Sequence, residues 1–314
     1  VNPVPNSTPE AAAEAYAAGV AAAGGMLTDR VIAGATVAVR LAVEHADDPR
    51  ILEVILDLGT LEGLWARLFQ RREDLIRHHN RLVAKTWREL LTAELIADAV
   101  RALRRTHTER PGPAEWKLAV AAAAAGLLAS LRSRPQLTAL RQAVRDALAA
   151  AQAEGAAAGA VLAADRGGLP LPDWDTEFDT ALDAVDGRYQ LWADADTWTG
   201  RLLDRAGWTF QRALGDDPGA EDDDALTDDA LRFLNDADSG PVPFTVDWAM
   251  TAAAASGALA AYTAQGQRQA AWLSVGDGRV CQACDTNEAN GPYPLIEFPT
   301  LPAHPGCRCQ AVPA

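Results

Sequence analysis

From Ile51 onward apolar residues recur at steps of three and four: Ile51, Val54, Ile55, Leu58, Leu61, Leu64, Trp65 and Leu68. That spacing keeps side chains on one face of a helix with 3.6 residues per turn. Leu75, Ile76, Leu82, Val83 and Trp87 continue the stripe, while Gly59 and Gly63 argue against one unbroken rod. Upstream, Thr8-Pro9-Glu10 reads as a helix start, and Asp47-Asp48-Pro49 as a break. Arg110-Pro111-Gly112-Pro113 is a stop, and a third helical block covers about 114–164 with a break at Ser133-Arg134-Pro135. Gly167 to Pro172 reads as a linker. Helical spacing returns at Phe178, Leu182, Val185, Tyr189 and Trp192. With Trp174, Trp192, Trp198 and Trp208 in the same stretch, a folded region up to about Leu214 is expected, because aromatic side chains carry large burial energies. Asp216 to Asp229 holds eight acids, one proline and one glycine, and reads as a solvated loop. Gly240-Pro241-Val242-Pro243 opens the last section. A helix from about Thr245 to Trp272, interrupted by Gly257 and Gly266, is expected there, followed by short strands and turns.

The expected fold is mainly α, with long alanine-rich helices and a small C-terminal α+β module. Three regions follow: helical 1–165, acidic and helical 166–240 with its loop, and a C-terminal module at 241–314. No fixed-period repeat of the solenoid kind is present.

Composition sharpens this reading through its unevenness. Of 314 residues, 67 are alanine, and 26 of the 28 bases are arginine. The formal net charge is −15, yet Asp165 to Ser239 alone carries 20 acids against 6 arginines. Such a chain is a poor candidate for binding nucleic acid over its whole surface. A hydrophobic share of 49% argues against wholesale disorder. Val1-Asn2-Pro3-Val4-Pro5 lacks a basic stretch followed by an apolar one, so secretion is not expected. The longest uncharged apolar run, between Lys117 and Arg132, has 14 residues, too short for a bilayer core of about 30 Å. A buried or alanine-rich helix is expected there, with no membrane contact.

Cysteine is the most unevenly placed residue. All four lie in the last 34 positions: Cys281-Gln282-Ala283-Cys284, then 19 residues, then His304-Pro305-Gly306-Cys307-Arg308-Cys309. Two thiolates converging on a turn can clamp one metal ion, and the gap suits a ribbon-like site. Cys281, Cys284 and Cys307 are expected ligands, with the fourth divided between His304 and Cys309, since tetrahedral zinc takes four. A glycine- and proline-rich segment with few large apolar residues also needs a staple, which makes this a zinc-stapled module with a structural ion. The rival readings are a redox pair or two disulfides. The first needs a strand–helix–strand context, which the flanking sequence does not show, and the second needs an extracellular chain.

Other chemistries fail on spelling. His107-Thr108-Glu109 is far from the cysteines and Val280 precedes Cys281, so the zinc deaminase pattern is absent. The lysines, Lys85 and Lys117, follow Ala84 and Trp116, which leaves no Gly-Lys-Ser/Thr phosphate loop. There is no Gly-x-Ser-x-Gly or His-Glu-x-x-His. His78-His79 reads as part of a solvated face. Arg67, Arg71, Arg72, Arg77 and Arg81 read as a mixed, salt-bridged surface.

The order Gln265-Gly266, Ala271-Trp272-Leu273-Ser274, Asp277-x-Arg279-Val280-Cys281-x-x-Cys284, Gly291, Phe298-Pro299 and His304-Pro305-Gly306-Cys307-Arg308-Cys309 resembles the C-terminal module of phage head morphogenesis proteins, the Mu F-like minor head or minor capsid proteins of tailed phages. The resemblance covers about Phe244 to Ala314. It implies a low-copy structural virion protein, not an enzyme, with no small-molecule substrate. The implied partners are a portal protein or major capsid protein, with a scaffold as a further one. The implied location is the capsid interior or portal vertex, after assembly in the host cytoplasm. It gives Asp277, Arg279, Cys281, Cys284, His304, Cys307 and Cys309 a role in folding the module, Asp277 and Arg279 as turn or supporting partners. The rival functions are a zinc-containing nucleic-acid-binding module, with DNA contact open but not predicted, and a phage-encoded toxin or effector.

Overall fold

A computed structural model describes residues 61–105, 112–167, 194–215, 222–274, 280–304, 307 and 309–314. The expected helix start at Thr8, the break at Pro49, the linker at 167–172 and the stripe at 178–192 fall outside these residues, apart from Gly167.

The described chain is mostly helical with one small sheet. Helix α1 runs Leu61–Leu90 and α2 Ala93–Arg105. Helix α3, Pro113–Ser133, starts where the sequence places a stop, because proline at the first helical position lacks only an N–H that has no partner there. Glu115 accepts from the Gly112 amide at 3.0 Å. Helix α4, Gln136–Gly167, resumes after Pro135. Helix α5, Ala195–Ala213, is capped by Asp194, which accepts from the amides of Asp196 and Thr197. A bond from the Thr197 hydroxyl, with those from the two amides, holds the Asp194 carboxyl below its ordinary pKa.

Helix α6, Asp223–Leu234, corrects the expected loop at 216–229 over its second half, 223–229, while 216–221 lie outside the described residues. Asp222 caps it by accepting from the Ala225 amide at 2.8 Å, and Asp223 and Asp224 occupy its first turn. Carboxylates are favourable beside the positive end of the helix dipole, so the acids that read as a loop are the helix's start signal.

Helix α7 spans Pro241–Ala264, four residues earlier at its start and eight earlier at its end than expected. Gln265 caps it and Gly266 turns away at φ +75°, a conformation that suits glycine. Trp272 therefore sits on a strand: β1, Gln269–Leu273. Strands β2 (Tyr293–Pro294) and β3 (Gln310–Pro313) flank it on either side, both antiparallel, with Ala270 opposite Tyr293 and Trp272 opposite Ala311. A nine-residue helix, α8 (Gln282–Asn290), lies between β1 and β2, where only strands and turns were expected.

Two apolar clusters hold the fold. The larger runs from Ile76 to Ala254 and buries Trp87, Trp116 and Trp198. The smaller gathers Ala163, Ala255, Leu259 and Tyr262 with Trp272, Phe298 and three cysteines. Helix α7 feeds both, lying along α4 at very short range. A Cβ on Gly155 would come within 2.0 Å of the Ala254 carbonyl oxygen, and one on Gly257 within 2.1 Å of the Gln152 oxygen. Helix α3 is long and apolar enough to cross a membrane by length and composition. Here Trp116, Val120, Ala124, Leu127 and Leu131 turn its inner face into the larger core. His79 is a correction: it is buried, only its neighbour His78 being exposed.

Candidate metal centre

The smaller core positions the cysteines. Trp272 stacks on Phe298 at 6.0 Å, and Tyr293 meets the same ring edge-on at 5.9 Å. The Tyr293 hydroxyl donates to the Asn287 carbonyl at 2.8 Å, tying β2 to α8. The Tyr262 hydroxyl donates to the Ala311 carbonyl at 2.9 Å and fastens α7 to β3. Ser274 and Glu288 are hydrogen-bonded, closing β1 onto α8. These contacts set the ends of β1 and α8 beside the chain that returns to β3.

Cys281 is the N-cap of α8. Its sulfur accepts from the Cys284 amide at 3.4 Å, so it does for this helix what an aspartate does for α5 and α6. Cys284 sits in the first turn and points inward, 2% exposed. From the other side come His304, Cys307, whose amide donates to the His304 carbonyl at 3.1 Å, and Cys309, the residue before β3. All four cysteines are free thiols.

Cys284 is the hub. Its sulfur lies 3.5 Å from His304 Nε2 and 3.7 Å from the Cys307 sulfur. Two triads share it: Cys281, Cys284 and His304, and Cys284, Cys307 and Cys309, the ligand atoms of each lying within 4.8 Å of one another. The five residues singled out by spacing thus converge in one place. Asp277 and Arg279 lie outside the described residues.

Two edges of the cluster suit a tetrahedral ion. With metal–sulfur bonds of about 2.3 Å and metal–nitrogen bonds of about 2.0 Å, a tetrahedron has sulfur–sulfur edges of about 3.8 Å and sulfur–nitrogen edges of about 3.5 Å. The two distances through Cys284 match those edges. The cluster could hold a metal ion.

Its electrostatics point the same way. Bonds from the amides at the start of α8 hold the Cys281 thiol below its ordinary pKa. Burial pushes Cys284 up to about 12. Hydrogen bonding from Cys309 brings Cys307 down to about 5, and the same contact drives Cys309 upward. Crowded sulfurs that cannot all ionise without a cation become ligands together when one is supplied.

The redox reading is better placed than the sequence suggested, since a strand precedes α8 and another follows it. These strands are antiparallel neighbours, however, and the histidine and two further thiols that crowd Cys284 are more than a two-cysteine couple requires. The aromatic support from Tyr262, Tyr293 and Phe298 was missed. Phe298 had been read only as part of a motif, and no spacing signal marks the other two.

A family-model scan, a search of curated proteins and a search of solved structures each returned no match to the chain.

Proposed function

We propose that the chain is a structural protein of a tailed-phage head, without catalytic activity, whose terminal module is stapled by zinc and docks on a portal or inner capsid surface. The observation that carries this reading is the convergence of Cys281, Cys284, His304, Cys307 and Cys309 about one buried sulfur. A thiolate-rich tetrahedral set favours zinc, and four protein ligands leave no open position for a reacting water. Cys281, Cys284, His304 and Cys307 form the proposed ligand set, because the tetrahedral edges run from Cys284 to His304 and to Cys307. Cys309, buried in one triad with Cys284 and Cys307, is assigned the part of a thiol donor to Cys307. The virion assignment rests on the ordered motif from Gln265 to Cys309, which resembles head morphogenesis proteins.

Metal analysis of the purified protein should give one zinc per chain. His304→Ala and Cys284→Ser should lose it, and Cys309→Ser should keep it. A metal-free protein with Cys281 joined to Cys284 would refute the staple. Incorporation into particles tests the wider reading: the wild type should co-purify with portal-containing heads, and Cys284→Ser should not. Salt-dependent DNA binding by the module, with no particle association, would favour a nucleic-acid role instead.

A further inference from the structure

The most acidic quarter of the chain carries a cationic stripe. On α5, Arg201, Arg205, Trp208 and Arg212 fall at i, i+4, i+7 and i+11, within about 60° of arc at 100° per residue. Each guanidinium lies against a ring. Arg201 stands 4.5 Å from Trp198 and 5.3 Å from Trp248 of α7, rings that themselves pack edge-on at 5.6 Å. Arg205 stands 3.9 Å from Phe244 and 4.3 Å from Trp208, and Arg212 stands 5.5 Å from Trp208. Trp208 remains 47% exposed.

None of these three arginines pairs with a carboxylate among the described residues. The neighbouring acids are engaged elsewhere: Asp204 with Arg132 at 3.1 Å, and Asp196 with Arg141 at 3.2 Å. Arg205 has a buried Nε without a hydrogen-bond partner. A guanidinium stacked on a ring keeps its donors in plane and fixed, ready for a carboxylate. Two of them stand beside Trp208, which leaves little ring face for a nucleobase, and the −15 chain repels nucleic acid at long range.

The complement is present on the same molecule. Helix α6 exposes Asp222, Asp224 and Asp228. Asp224 and Asp228 are one turn apart, as Arg201 and Arg205 are. The other acids of that helix are occupied: Asp223 by Arg104 at 3.0 Å and Asp229 by Arg232 at 2.6 Å. Within one chain α6 packs its buried Leu226, Ala230 and Leu234 into the core, and among the described residues no ion pair joins Asp222, Asp224 or Asp228 to the arginines of α5.

We propose that the α5 stripe is a self-association surface, receiving the acidic face of α6 from a second copy of this chain. Three arginines that lack a carboxylate partner among the described residues meet the exposed carboxylates of Asp224 and Asp228, with the capping Asp222 beside them and Trp208 at the centre of the contact. The contact lies on the helical core and is independent of the metal reading. Both copies carry −15, so the net charge opposes association and only the local match favours it; the complex is expected to be weak and reversible.

Sedimentation velocity of the full chain tests this in about 0.1 M and about 0.5 M salt. The wild type should associate in the first, with the dissociation constant rising at least about tenfold in the second. Arg201→Glu with Arg212→Glu, and separately Asp224→Lys with Asp228→Lys, should each be monomeric. An equimolar mixture of the two should associate again. All four positions are exposed, and circular dichroism confirms that each variant is folded. A wild type monomeric at about 0.1 M salt overturns the proposal, as does association that survives both reversals. A monomer that binds a glutamate-rich peptide or a single-stranded oligonucleotide, and loses it with Arg201→Glu and Arg212→Glu, overturns the second copy as occupant.

Discussion

Two glycines decide how close α4 and α7 can lie. A methyl group at Gly155 or Gly257 would meet a backbone carbonyl at 2.0 or 2.1 Å, and a backbone atom cannot rotate aside. Gly155→Ala should therefore destabilise the protein by about 1–3 kcal/mol in urea unfolding, through overpacking. Gly126, on the outer face of α3, has nothing within 4 Å of its added Cβ. Gly126→Ala should stabilise by up to about 1 kcal/mol, because only the helix propensity changes. His79 makes a second residue-scale case. Burial, with help from His78 and against Asp146, holds its imidazole below the ordinary value of 6.5, and Nδ1 has no partner. The neutral form is the one the fold accommodates. Its contribution is whole above about pH 6.5 and is lost as pH falls through the lowered folded value. His79→Leu should flatten the stability profile between about pH 7 and about pH 5, measured by urea titration. A profile as steep as the wild type's would assign the acid sensitivity to other groups.

Elements were legible where their ends carry a signal. The break expected at Ser133-Arg134-Pro135 separates α3 from α4, whereas Pro113, read with Arg110-Pro111-Gly112 as a stop, opens α3. The expected end of α7 lies eight residues beyond the observed one, because Gly266 reads as an interruption of the helix whereas, in the left-handed region after Gln265, it is the stop. Helix α6 was missed because aspartates serve equally as loop residues and as first-turn residues; the buried Leu226, Ala230 and Leu234 decide between them. The five candidate ligands were legible from spacing alone, since two-residue gaps on turns bring side chains together locally. What spacing could not supply was the hub role of Cys284, which follows from the non-local return of the chain to β3. The Tyr262 hydroxyl that fixes this return can be tested: Tyr262→Phe leaves the Ala311 carbonyl short of a buried donor and should cost about 1–3 kcal/mol.

At the scale of the molecule, the acidic total conceals a local organisation. Helices α5 and α6 share the larger core with α1 to α4, so the described part of the acidic quarter contributes buried Trp198, Leu202, Phe210 and Leu234 and leaves Asp196, Asp204, Asp224 and Asp228 off that core. The ligand cluster draws on the smaller core alone. Chelation should therefore act regionally. In hydrogen exchange, a chelator should release protection across β1, α8 and β3 while leaving α2, α3 and the core half of α4 protected. Loss of both regions together would mean that they unfold as one unit.

The close seam between α4 and α7 also determines what could be exchanged between proteins. A fragment beginning at Pro241 would carry every ligand, but not Ala163, nor the Ala160 carbonyl to which Gln265 donates at 3.2 Å. Nor would it carry Gly155 and Gly159, whose bare backbones make room for α7. The smallest transplantable unit is thus discontinuous, made of α4 and everything from α7 onward. A recombination that moved the cysteines alone would have to find a host helix with glycines already in register.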